Sequence, residues 1–178
     1  MDAYHPEQWH DFFLMVGGGA AALTGLVVVA MSLHLDVIAS DAILRHRARS
    51  ILTGLAAVFM RCGLALMGGQ NGRAVGAELF VVCAITAVAG VASFWQVSQI
   101  AEVVPLGSKL RTVGSIACYL TEMVGAAILF SGKSAGLYVV GVAMITNFFF
   151  FIFGSWTLLV GVGRGEARAE EAVETARR

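Results

Sequence analysis

Apolar residues in this chain fall into five long runs, separated by short polar or glycine-rich breaks. The runs cover about 12–34, 50–68, 75–97, 113–130 and 137–162. A helix needs roughly 20 such residues, rising about 1.5 Å each, to cross the hydrocarbon of a bilayer. The runs are apolar on every face rather than along one stripe, as lipid-embedded helices are. Lipid offers no hydrogen bonds to the backbone, so a spanning segment must satisfy its own N–H and C=O groups, which a helix does. The short alternating segments of a membrane β-barrel are absent. The expected fold is all-α: an integral membrane bundle of about five transmembrane helices in a single domain over 1–163, followed by a charged tail at 164–178.

The breaks carry most of the charge and suggest an orientation. Arg45, Arg47 and Arg49 fall between runs one and two, Lys109 and Arg111 between three and four, and Arg164, Arg168, Arg177 and Arg178 in the tail. The other set of segments holds only Arg73 and Lys133. Basic residues collect on the cytoplasmic side. The N-terminus is therefore expected outside and the C-terminus in the cytoplasm, in a multi-pass protein of a bacterial inner membrane. Tyr4, Trp9 and Tyr138 then sit at the outer interface and Trp95 and Trp156 at the inner one, where amphipathic rings collect. The N-terminal MDAYHPEQWHDFF lacks the basic stretch that opens a secretory signal, so the first run reads as a retained helix. In the tail, Glu174 and Arg178 stand in the favourable i,i+4 order, as in a helix continuing from run five.

Composition narrows the function. Of the 178 residues, 58% are hydrophobic and 13% charged, about half the usual charged share of a soluble domain. Twelve basic residues balance twelve acidic ones, so no basic excess points to nucleic acid. Five helices use almost the whole length and leave no room for a separate catalytic domain. No nucleophile elbow, P-loop or zinc motif occurs, and nothing calls for a cofactor. An enzyme is not expected. Cys62, Cys83 and Cys118 all lie inside apolar runs, where they read as small packing residues.

The residues that carry information are polar groups inside the runs. Arg61 in run two and Glu122 in run four lie at similar depth, about 11 or 12 residues from the same edge at about 1.5 Å per residue. Charges at such depth turn inward and find partners. Arg61 and Glu122 are expected to pair, with Asn147 of run five and Thr24 of run one at the same level. The pair either fixes helix register or lines an ion or proton path. In run one, Gly17, Ala21 and Gly25 repeat every fourth residue, as do Gly18 and Ala22. Small residues at this spacing let helices approach closely, within one chain or between copies. Near the N-terminus, Glu7, His10 and Asp11 share a helical face and form a weak candidate metal site. The basic stretch at Arg45–Arg49 suits anionic lipid headgroups.

The segment Trp9–Leu33, with M-V-G-G-G-A-A-A-L-T-G at its centre, resembles the first helix of uncharacterised small bacterial multispanning membrane proteins. That likeness covers helix one and implies topology but no activity. A shorter likeness, through Ala22-Leu23-x-Gly25 and Val29-Ala30-Met31, is to the pore helix of Orai calcium channels. The acidic selectivity position of that family falls here on Leu33, and that family has one span fewer and a cytoplasmic N-terminus.

Two functions follow as expectations. One is a small oligomeric channel or transporter whose polar level is Arg61, Glu122 and Asn147. The other is a non-catalytic accessory or assembly subunit of a larger membrane complex. Its partners are then the bilayer and either copies of itself or other membrane proteins.

Overall fold

The computed structural model describes residues 7–100 and 106–177, with side chains at 7–99, 107 and 109–163. The described residues form six α-helices: α1 (Glu7–Leu33), α2 (Leu35–Ser40), α3 (Ala42–Leu66), α4 (Gly72–Ile100), α5 (Leu106–Phe130) and α6 (Ala135–Arg177). All but the short α2 are long and apolar enough to cross a membrane. Their outward faces are apolar too: Leu26, Ile85, Val88, Phe149 and Trp156 are each more than 60% exposed. A soluble surface would not carry so much contiguous apolar area. The chain is a helical membrane bundle.

All five spanning helices run past the apolar runs that announced them at one end or both. α3 starts at Ala42, well before the run at 50–68, so Arg45, Arg47 and Arg49 lie on its first turns and not in a loop. Asp41 starts it: its Oδ1 accepts from the backbone N–H of Ile43 at 2.7 Å and of Leu44 at 3.1 Å. α5 likewise begins at Leu106, which gives the short fourth run a helix of 25 residues. α6 continues unbroken for 43 residues to Arg177. Apolarity marks only the stretch that meets hydrocarbon, whereas a helix continues into the polar zone wherever its residues favour it. Tyr4, His5 and the Glu174–Arg178 pairing lie outside the described residues or side chains. The two tight turns use glycine in the left-handed region, Gly69 at φ 80° and Gly132 at φ 92°.

α3, α4, α5 and α6 form a closed ring in that order, with α3 and α5 diagonally opposite and out of backbone contact. α1 packs outside the ring against α3 and the edge of α6, and α2 lies across α3 and α6. The core gathers Leu55, Val58, Leu79, Leu129, Leu137 and Met144.

Glycines draw one end of the ring tight. A Cβ on Gly76 of α4 would stand 2.7 Å from the backbone N of Phe130, and one on Gly125 would stand 2.8 Å from the carbonyl oxygen of Gly136. Here α4, α5 and α6 meet backbone to backbone. Towards the other end, which carries Arg47 and Arg111, phenyl rings fill the gaps. Phe150 lies on Gly114 and Phe151 on Gly54. At this end rings of α6, rather than backbone, rest on α5 and α3.

Only part of the small-residue row in α1 packs within the chain. The inward stripe is Phe13, Val16, Gly17, Ala20 and Val27. Gly17 meets Cys62, whose Cβ would lie 2.9 Å from an added Cβ. Gly18, Ala21, Ala22 and Gly25 are exposed, and neither Gly18 nor Gly25 has a neighbour in reach. Of the row Gly17, Ala21 and Gly25, Gly17 packs within the chain, and Ala21 and Gly25 face outward. The larger Phe13, Val16 and Val27 find holes on α3 and set which face turns inward.

These contacts predict a contrast measurable by thermal unfolding in detergent. Gly76→Ala should destabilise by about 1–3 kcal/mol, because the methyl has only backbone to displace. Gly18→Ala should be neutral or gain up to about 1 kcal/mol from helix propensity. Equal behaviour of the two variants would contradict the close α4–α5 approach.

Candidate functional site

On α3 the buried positions Gly54, Ala57, Val58, Arg61, Cys62 and Ala65 recur at helical spacing, so Arg61 belongs to the inward stripe. On α5 the same holds for Cys118, Tyr119, Glu122, Ala126 and Leu129. Both charges therefore point to the ring centre, and there they meet. Arg61 Nη1 forms an ion pair with Glu122 Oε2, and both residues are fully buried. The pair spans the diagonal between two helices whose backbones do not touch.

Neighbours hold the pair in place. Arg61 Nε donates to the carbonyl of Ala57 at 3.0 Å. Cys83 of α4 donates through its Sγ to Glu122 Oε2 at 3.2 Å and accepts from Arg61 Nη1 at 3.5 Å. The Tyr119 ring faces the guanidinium, 5.3 Å from Cζ to centroid, a cation–π contact. Asn147 of α6 is fully buried and lies against Tyr119.

This centre is incompletely satisfied. Arg61 Nη2 and Glu122 Oε1 are buried without a hydrogen-bond partner in the protein. Each such group costs about 1–3 kcal/mol when buried unpaired. The pair thus keeps donor and acceptor capacity for a small polar guest.

On the arginine side of Tyr119 the ring is hollow. A cavity of about 350 Å³ is walled by all four ring helices, from Arg47 and Gly54 of α3 through Thr86 and Ser93 of α4 to Arg111 and Tyr119 of α5 and Phe151 of α6. Tyr119 is both its floor and the ring stacked on Arg61. The cavity ends at Tyr119, which separates it from the buried ion pair; neither Arg61 nor Glu122 lines it.

The other expected residues do not join this site. Thr24 sits on α1, which does not contact α5, and its hydroxyl donates to the carbonyl of Ala20 at 2.7 Å. Glu7, His10 and Asp11 are exposed on the first turns of α1 at the opposite end, beside the turn at Met67–Gln70. His10 Nδ1 lies 3.3 Å from Asp11 Oδ1. Among the described residues no three potential ligands are placed to share a metal ion. Two residues enter that the run pattern hides. Cys83, indistinguishable in sequence from a packing cysteine, contacts both charges. Glu78, the second carboxylate inside an apolar run, accepts from Gln70 Nε2 at 2.9 and 2.8 Å and ties the turn to α4.

Compared with known protein families, curated proteins and solved structures, the chain matches none.

The geometry predicts a non-additive mutant series. Arg61→Ala or Glu122→Ala alone strands a buried charge and should cost about 3–5 kcal/mol. The double variant Arg61→Met with Glu122→Leu should recover most of that loss, since an apolar replacement of both partners is often nearly neutral. Additive losses in thermal unfolding would show that the two side chains do not act as a pair.

Proposed function

We propose that this chain is a small membrane channel or transporter whose path runs through the four-helix ring and is closed by the Arg61–Glu122 pair. The observation that carries this reading is a buried polar centre separated by the Tyr119 ring from a cavity open towards one end. A pair serving only as a clamp between helices gains nothing from unpartnered groups, whereas a path needs ligands that can change partners. Ionisable groups inside a membrane characteristically mark such paths. The reading assigns no catalytic step to the chain.

The positive-inside rule favours the arginine end as cytoplasmic, with the N-terminus outside, in a bacterial inner membrane. The lumen would then face the cytoplasm. Reporter fusions near Arg47 and after Arg178 should register cytoplasm, and fusions at the N-terminus and near Lys133 should register the outside. Both termini on one side would overturn this topology.

The exposed row Gly18, Ala21, Ala22 and Gly25 favours a second reading for the outer face of α1. It offers a flat surface for close helix approach, as oligomerisation or an accessory role in a larger complex requires. Transport and assembly are compatible, and flux separates them.

Liposomes containing the purified protein should pass protons, potassium or chloride faster than empty liposomes. The Arg61→Met, Glu122→Leu double variant should lose at least tenfold of that flux while unfolding near the wild-type temperature. Wild-type flux at the empty-liposome level, with larger membrane proteins co-purifying from native membranes, would favour the accessory subunit instead.

A further inference from the structure

The wall of the lumen has a chemistry of its own. Arg47 and Arg49 enter it from α3 and Arg111 from α5, joined by His46. No carboxylate lines it, and none among the described residues pairs with these arginines. Arg47 and Arg111 repel one another across the lumen. Arg111 is nonetheless positioned: its stem lies on Gly154 and its Nη1 donates to Thr157 Oγ1 at 3.1 Å. Like charges gathered from diagonal helices without a counter-charge call for an anion between them.

The hydroxyls give an independent sign. Serines and threonines elsewhere on the described helices turn back on their own helix. Thr24, Thr121, Thr146, Ser98 and Ser155 each donate to a backbone carbonyl three or four residues earlier. Of the hydroxyls in the lumen wall, Thr86 also turns back, onto the Val82 carbonyl, whereas Ser50, Thr53, Ser93 and Ser115 make no such bond and keep their hydroxyls available. Neutral donors beside guanidinium forks are what a tetrahedral oxyanion takes up, the forks binding two oxygens at once.

The geometry points to a binding site for a phosphate-class oxyanion in the lumen at the arginine end, held by Arg47, Arg49 and Arg111 with the hydroxyls of Ser50, Ser93 and Ser115. The volume, about 350 Å³, admits a phosphate bearing a small substituent. The anion is either free in solution or the headgroup of an anionic lipid entering from the membrane surface. The site depends on the lumen wall alone and stands whether or not a solute crosses the ion pair.

The test uses the full-length protein in a neutral detergent, at ionic strength held constant with chloride. One arm adds inorganic phosphate or pyrophosphate, and the other adds phosphatidylglycerol against phosphatidylcholine in mixed micelles. Unfolding temperature and calorimetric binding are the readouts. At least one probe should raise the unfolding temperature by several degrees. Arg47→Gln with Arg111→Gln should weaken that binding at least tenfold, whereas Arg73→Gln and Lys133→Gln at the other end should leave it unchanged. Ser93→Ala with Ser115→Ala, which leaves the charge intact, should weaken it several-fold and serves if the arginine variant does not fold. A response to soluble phosphates assigns a free anion, and a response to phosphatidylglycerol alone assigns a headgroup. No response in either arm, or a response that the lumen variants share equally with wild type, overturns the site. Because no gradient is involved, loss of flux in liposomes leaves this result untouched.

Discussion

One ion pair across the diagonal of a four-helix ring holds the rest in register. α3 and α5 have no backbone contact, so the reach of the Arg61 side chain to Glu122 is what joins them at the centre. In lipid this matters more than it would in water. Apolar side chains there gain little by preferring a helix neighbour over a lipid tail, so apolar packing alone leaves helix depth and rotation poorly determined. A buried charge accepts few alternatives. Sliding α3 by one turn against α5 would separate the partners by about 5.4 Å and strand both in a low-dielectric interior. The pair contributes modestly to net stability because both ions lost their hydration, but it discriminates strongly against other registers.

How much of this was legible in the sequence follows from which physical signal each part carries. The five spans were, because hydrocarbon thickness imposes a length and excludes charge. The depth match of Arg61 and Glu122 was also readable, since helical rise converts residue number into height. What escaped were properties of rotation and tilt. The repeat in α1 promised one packing face, yet only Gly17 of Gly17, Ala21 and Gly25 turns towards α3. A row of small residues permits close approach without saying to what. Thr24 shares a height with the pair but sits on a helix outside the ring. Helix ends escaped for another reason: Asp41 and the arginines after it are excellent helix-starting and helix-continuing residues that a search for apolar runs passes over.

The lumen is legible only after the ring is known. Ser50, Ser93, Ser115 and Arg111 belong to three different helices and make no linear motif. Each looks unremarkable in its own segment. Their common feature, hydroxyls that do not fold back and guanidinium groups that no carboxylate neutralises, appears only when the helix faces are assembled.

The two ends of the ring are packed differently. Backbone contacts at Gly76, Gly125 and Gly136 bring α4, α5 and α6 together at the end away from the arginines. Midway, the ion pair sets the α3–α5 distance. Beyond it, two features mark the arginine end. Phe150 and Phe151 occupy the spaces over Gly114 and Gly54, and Arg47 faces Arg111 with like charge. Small residues lie where backbones touch, one long ion pair lies at the centre, and bulky rings with like charges lie beyond it. An anion between the arginines would offset the like-charge repulsion between α3 and α5 at this end.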